Sequence, residues 1–395
     1  MKKQKDSFSK PPASPPGLLK KNPSPVFKKP IPDRRPIPVK GSPVQSPTAD
    51  LAQQISRLQA DFDELQGDVR LSGLRDRVED LHITINGLGH RLGEIRQRGY
   101  VFGKEMEDRS ADLTGQWNAT YPSIKAQLDR QSALLINDLR DLEFQMNQLN
   151  SQHGSPGLAH PLINSLEGRI SGMKGKVEAA EQMVIGMYDR LGQQIGEHAA
   201  RLDEVDWMLS QLAEATFQLL PTEGCVAAVK AVLCRNAEET RDDPQGVLFL
   251  TDQKLVFERK QEVATRKVLF ITTDRKKVQE VMLEVPVALV EKVETARKGV
   301  LKNEDFINLF FLSGAPVGSA IFHIWKPGDE WQALINRARV KDFAKDRAVK
   351  IDQAEIDKVR AVPSQCPSCG GNIDQVILRG QESIKCKFCG YVIRL

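Results

Sequence analysis

The sequence predicts a multidomain chain: a disordered proline-rich basic N-terminus, a long α-helical coiled coil or bundle, a small β-barrel with a C-terminal helix, and a terminal metal-binding cysteine module. Three observations predict it. Apolar residues recur in steps of three and four between residues 49 and 218, the seam of a helix packed on another helix. From Cys225 the apolar period drops to two and β-branched residues become frequent. The last stretch carries two CxxC pairs with 16 residues between them.

Composition supports several units over one large core. A chain of 395 residues holds roughly two to four domains, and an aromatic share of 6% is low for a single large enzyme core. No run approaches the ~18 apolar residues of a membrane-spanning helix. The basic start, MKKQKDSFSK, is not followed by the apolar stretch a secretion signal needs. Four of the six cysteines sit in CxxC pairs, which is metal chemistry more than a disulfide framework. A cytoplasmic, reducing location is expected, compatible with peripheral placement at a membrane.

Charge is distributed unevenly. Residues 1–48 carry a net +9, residues 49–218 a net −9, and the remainder +4. The first 48 residues also hold 12 of the 22 prolines, and proline lacks the N–H that helices and sheets require. This tail contains a small repeat, Lys28-Lys29-Pro30-Ile31-Pro32 then Arg34-Arg35-Pro36-Ile37-Pro38. It reads as a solvated spacer, or as a segment that docks on an aromatic groove or an anionic surface.

In 49–218 the first seam runs Leu51, Ile55, Leu58, Phe62, Leu65 and Val69, slips near Gly73, and resumes from Leu74 to Ile95. After a break at 99–103 a second seam returns through Tyr121, Leu128, Leu135, Leu142 and Leu149. A third follows the Gly- and Pro-containing interruption at 151–161, from Ile163 to Leu212, with a register shift near Ile195–His198. Two arrangements satisfy this pattern: a self-associating coiled coil, or an antiparallel bundle with turns at the two breaks. His198 falls on the seam and reads as a polar residue that sets register.

Candidate strands are 225–234, 246–250, 254–258, 267–272, 278–285, 290–295, 305–312 and 319–325, closed by a helix at 328–340 whose apolar face is Trp331, Leu334 and Ile335. Within them, Gly246-Val-Leu-Phe-Leu-Thr-Asp-Gln-Lys-Leu-Val-Phe257 resembles the core signature of GRAM domains, in the pleckstrin-homology-like superfold. Leu283-Glu-Val-Pro-Val-Ala-Leu-Val-Glu-Lys-Val293 is similar to that family's later strand. The resemblance covers 220–340 and implies a partly open β-barrel capped by a helix, used to bind lipid head groups or protein segments. The sequence departs from lipid-binding pleckstrin-type domains in its first inter-strand loop, 235–244, with four acids against two arginines. A basic docking surface is expected instead from Arg259, Lys260, Arg266, Lys267, Arg275, Lys276 and Lys277. Residues 341–363 read as a charged helical linker. Cys225 and Cys234 read as small buried apolar residues.

Cys366, Cys369, Cys386 and Cys389 carry the firmest chemistry. Two CxxC turns offer two thiolates each, the set a tetrahedral Zn2+ takes, and Gly370 and Gly390 let each turn close. Residues 364–395 resemble a zinc ribbon, with short strands expected around Ile373, Val376–Leu378, Ile384 and 392–395. One structural zinc ion is expected, with no open coordination position for catalysis.

The sequence contains no HExxH, GxGxxG, phosphate-binding Gly-rich loop or GxSxG. The expectation is a non-catalytic scaffold that oligomerises through 49–218 and docks on a protein or anionic membrane partner. The alternative is a nucleic-acid-binding factor using the ribbon and the basic tail.

Overall fold

The computed structural model describes residues 47–151, 156–236, 238–268, 271–299 and 303–395, with backbone alone for 47–49, 156, 262–268 and 271–276. The disordered tail expected over 1–48 lies outside the described residues up to 46. Its last two positions belong to a helix that Pro47 opens, proline's fixed φ suiting the first turn.

Five helices follow: α1 (Pro47–Asp68), α2 (Ser72–Gln97), α3 (Met106–Ser151), α4 (Pro156–Gly186) and α5 (Asp189–Ala213). They form three rods. α1 and α2 are one rod interrupted just before Gly73, where Leu71 takes a left-handed φ of 53° while its side chain stays buried. The break expected at 99–103 is a turn with left-handed Gly99 and Gly103. In the third rod the interruption falls at residues 187–188 instead of near Ile195–His198, which lie inside α5.

Each seam finds its partner within the chain, in the antiparallel arrangement. Arg75 reaches Asp129 at 2.5 Å and Trp117 Nε1 donates to His82 Nδ1 at 2.9 Å, so α3 runs against the first rod. Lys174 meets Asp61 and Glu64, and Arg91 meets Asp203, so α4–α5 runs parallel to it. Leu65, Leu74, Ile85, Leu113, Trp117, Leu166 and Leu202 are fully buried between the rods. Each such side chain contributes about 1.5–3 kcal/mol. His198 is buried with its Nε2 2.8 Å from Ser110 Oγ, a polar pair that fixes one level of the seam.

Beyond the bundle lie β1 (Cys225–Cys234), β2 (Gln245–Thr251), β3 (Lys254–Val268), β4 (Ile271–Pro286), β5 (Val290–Lys298), β6 (Glu304–Phe311) and β7 (Ser319–Ile324). They make one antiparallel sheet in the order β4-β3-β2-β1-β7-β6-β5. α6 (Gly328–Arg339) packs on β5 and β6, with Trp331, Ile335 and Ala338 buried, so one large antiparallel sheet carries a helix where the resemblance implied a helix-capped, partly open barrel. The strand expected at 267–272 is not one strand: Lys267 and Val268 end β3 and pair with Thr272 and Ile271 of β4, and residues 269–270 lie outside the described residues. Gly246 opens the signature for a steric reason. A Cβ there would lie 1.9 Å from the Glu258 carbonyl oxygen on β3.

The linker is not one helix. A 3-10 turn (Asp342–Asp346) and extended residues precede α7 (Gln353–Arg360), whose first turn is capped by Asp352 accepting from Ala354 N at 3.0 Å. The ribbon holds two strands, β8 (Ser383–Lys385) and β9 (Val392–Arg394). The strand expected from Ile373 to Leu378 is irregular chain, with Ile373 and Ile377 packed against the small core of Cys366, Ile384, Cys386 and Ile393.

A candidate metal centre and the junction it docks on

The two CxxC turns are built alike. In each, the first cysteine's N–H donates to the carbonyl five residues on (Cys366 to Gly371, 2.8 Å; Cys386 to Tyr391, 2.9 Å). In each, a left-handed glycine closes the turn by donating back to that cysteine's carbonyl (Gly370 at 2.8 Å, Gly390 at 2.9 Å). Two matching hooks therefore face each other, and all four sulfurs lie within 4.8 Å of one another. Cys366 and Cys389 Sγ are 3.7 Å apart, and Cys369 and Cys386 Sγ 3.8 Å.

That spacing fits zinc. Four thiolates about 2.3 Å from a tetrahedral Zn2+ stand about 3.8 Å from each other. Ionisation points the same way. The amides of Cys389 and Phe388 face the Cys386 sulfur and hold its pKa at about 6. At Cys369 the Gly371 amide pulls down, but the Cys389 sulfur, lost hydration and the other two sulfurs push the pKa up to about 12. One thiolate forms readily and the next is opposed by the first, so a fully ionised cluster needs a cation among the sulfurs.

The loop between the hooks docks on the β-domain. Arg379 Nη2 donates to Asp252 Oδ2 at 2.6 Å and to the Thr222 carbonyl at 3.2 Å, while its Nε donates to Thr222 Oγ1 at 3.1 Å. Its backbone pairs with the Gln253 side chain in both directions, N–H to Oε1 at 2.6 Å and carbonyl from Nε2 at 2.9 Å. Asp252 Oδ2 also accepts from Arg347 Nη1 at 2.8 Å, and its Oδ1 accepts from Gly224 N at 3.0 Å. The Asp252 and Arg347 side chains are 8% and 6% exposed. Burial lowers the pKa of Arg347 against the pull of Asp252, and the adjacent Arg379 charge lowers it further.

Arg347 carries the junction into the bundle. Its guanidinium lies over the Phe102 ring at 5.1 Å, Ala348 N donates to Val101 O at 2.8 Å, and Lys104 N to Asp346 O at 3.1 Å. One carboxylate thus joins the α2–α3 turn, the β2–β3 turn, the linker and the ribbon. Beside it, Thr251 Oγ1 donates to Glu223 at 2.5 Å and caps the turn by accepting from Lys254 N at 2.7 Å. Nothing in the local pattern around Arg379 marks it as the partner of Asp252. Asp252 in a resembled signature was the available signal.

All seven basic residues expected to dock lie on the β3–β4 hairpin. Arg259 pairs with Glu280 at 3.2 Å, and Lys260 pairs with Glu214 at the end of the bundle. Lys277 is exposed, while the side chains of Arg266, Lys267, Arg275 and Lys276 lie outside the described residues. Cys225 and Cys234 are buried, and burial pushes both thiols up in pKa, away from reactivity. Among the described residues no helix is long and apolar enough to cross a membrane.

No protein-family model matches the chain, and no curated protein does. Among solved structures, the DH/PH domains of p115-RhoGEF share 11% identity, covering 75% of this chain and 95% of that one at a TM-score of 0.20. An arginine-to-glutamate mutant of the same domains gives 11%, 74%, 98% and 0.19.

Proposed function

We propose that the chain is a non-catalytic scaffold: a three-rod strut carrying a GRAM/pleckstrin-type docking head and a zinc ribbon locked to that head. The observation that carries this reading is the meeting at Asp252, on the head, of the ribbon's Arg379 and the linker's Arg347, whose guanidinium in turn covers Phe102 of the α2–α3 turn. Fixed relative placement lets weak contacts on separate modules act together, which is how a scaffold gains avidity. The partners in this reading are a protein or an anionic membrane surface, met by the basic residues of the β3–β4 hairpin, in the cytoplasm. Self-association through 49–218 would use exposed side chains such as Leu134, Phe144, Leu158 and Met183, since the seam is filled within the chain.

In this reading Cys366, Cys369, Cys386 and Cys389 hold one structural Zn2+. The intact protein should contain one zinc per chain, and chelation should make the ribbon and linker protease-sensitive while β1–β7 persists. A chain without zinc whose ribbon resists proteolysis as well as before would defeat the assignment. Docking is tested by flotation with phosphatidylserine vesicles, comparing the intact chain with Lys276→Glu/Lys277→Glu. Equal flotation of both would remove the hairpin from the reading.

A second reading, nucleic-acid binding, has its own observation. Phe388 (63% exposed) and Tyr391 (48% exposed) stand on the ribbon beside Lys385 and Lys387, a set suited to base stacking and phosphate contact. It requires affinity for single strands that falls steeply with salt and is lost in Phe388→Ala.

A further inference from the structure

Three of the chain's four tryptophans meet in one place. Trp207 on α5, Trp325 at the end of β7 and Trp331 on α6 line a cleft of about 360 Å3 between the bundle and the sheet, with Met208 and Leu334. The fourth, Trp117, is sealed in the bundle. Trp331 and Met208 form the buried floor, while Trp325 stands 54% exposed at the mouth. Trp325 is held there by stacking. Its ring lies 4.4 Å from His323, which lies 4.8 Å from Phe306 and is paired to Glu239. An exposed indole fixed in this way is a preformed ridge, and its apolar face gains free energy when covered.

The volume is at the small end of ligand pockets, ~300–1,000 Å3. It suits a few side chains of an extended segment better than a cofactor. Indole ridges with gaps between them are the surface that polyproline segments dock on, because a polyproline helix is already extended and loses little entropy on binding.

We propose that this cleft binds the chain's own Pro11-Pro12-Ala13-Ser14-Pro15-Pro16 segment. Reach selects it. The tail joins the bundle at Pro47, and α1–α2 runs parallel to α4–α5 until Arg91 pairs with Asp203, a residue of the cleft wall. From Pro47 to Arg91 that rod is about 66 Å long at 1.5 Å per residue. A polyproline chain advances about 3.1 Å per residue, so about 21 residues are needed to span it. Residues 11–16 lie 31 or more positions before Pro47 and reach the cleft. The Lys28–Pro38 repeat lies at most 19 positions away and does not. The tail then folds back on the junction of bundle and β-domain, where it occupies a surface otherwise open to proline-rich partners. This inference is independent of the zinc and membrane readings above.

The test is acrylamide quenching of tryptophan fluorescence in the intact chain, at sub-micromolar concentration so that contacts within one chain dominate. Replacing Pro11, Pro12, Pro15 and Pro16 by serine should remove the protection of Trp325 and raise quenching. A synthetic peptide of residues 9–22 added to that variant should restore protection, whereas a peptide of residues 28–38 should not. The difference should vanish in Trp325→Phe, which keeps the fold and removes the reporter. Deleting residues 27–44, which makes the tether too short, should abolish protection with all four prolines present. Identical quenching of the parent and the proline variant would overturn the proposal. So would equal protection by the 28–38 peptide, or protection that survives the shortened tether.

Discussion

Asp252 is the side chain with the most to lose. It neutralises two guanidiniums that are themselves largely out of water, and removing one partner of a buried charge cluster costs on the order of 3–5 kcal/mol. Asp252→Asn keeps the shape and removes the charge. Urea unfolding should show a lower midpoint, and limited proteolysis should cut first in the linker between α6 and the ribbon. An unchanged midpoint would mean that water reaches the site and screens it. His198 makes a pH-dependent contribution. Burial, with repulsion from Arg109, lowers its pKa below the ordinary imidazole value, so the folded state prefers the ring neutral. Between that lowered pKa and the ordinary one near 6.5 the unfolded chain binds more protons. Stability from this residue is therefore intact above about pH 7 and declines as pH falls through the window. His198→Gln, which keeps a hydrogen-bonding partner for Ser110, should flatten the urea midpoint between pH 7 and pH 5 relative to the parent.

At the scale of elements, the same substitution has opposite signs in a strand and in a helix. Gly246→Ala would put a methyl group into the Glu258 carbonyl of the adjacent strand, and β2 and β3 would have to separate. A cost of about 1–3 kcal/mol or more is expected, read as a fall in melting temperature. Gly89→Ala on α2 meets nothing within 4 Å and should raise stability by about 0.5–1 kcal/mol through helix propensity. A loss at Gly89 would show that this face of α2 is covered in solution. The helix breaks follow the same local logic, since Gly99 and Gly103 supply the left-handed turns that let α3 reverse direction.

For the whole molecule, length is the measurable consequence. α3 alone, at 46 residues, is about 69 Å long, and the β-domain attaches near the α2–α3 turn and the end of α5. Small-angle scattering should give a maximum dimension well above that figure together with the mass of the species present. A compact particle of about 50 Å would contradict the strut. Because the seam is satisfied internally, dilution should not melt the helices, as it would melt a coiled coil held together by a second chain. Circular dichroism across a hundredfold concentration range checks this.

The sequence by itself determined the parts. Heptad steps, two-residue alternation and CxxC spacing are local signals, each produced by one element's own geometry, so the helices, most strands, the cysteine cluster and the seam position of His198 were legible. Even its errors were local: residues 267–272 carry an apolar pattern that mimics a separate strand, and Ile373 and Ile377 of the ribbon are apolar because they face a core, without being paired. Tertiary structure alone decided how the parts meet. Asp252 joins Arg347 and Arg379 across about a hundred residues or more, Lys260 on the hairpin pairs with Glu214 at the end of the bundle, and three distant tryptophans share one cleft. Contacts so far apart along the chain leave no periodic trace in it. They exist only once the hydrophobic seams have closed and set the distances between side chains.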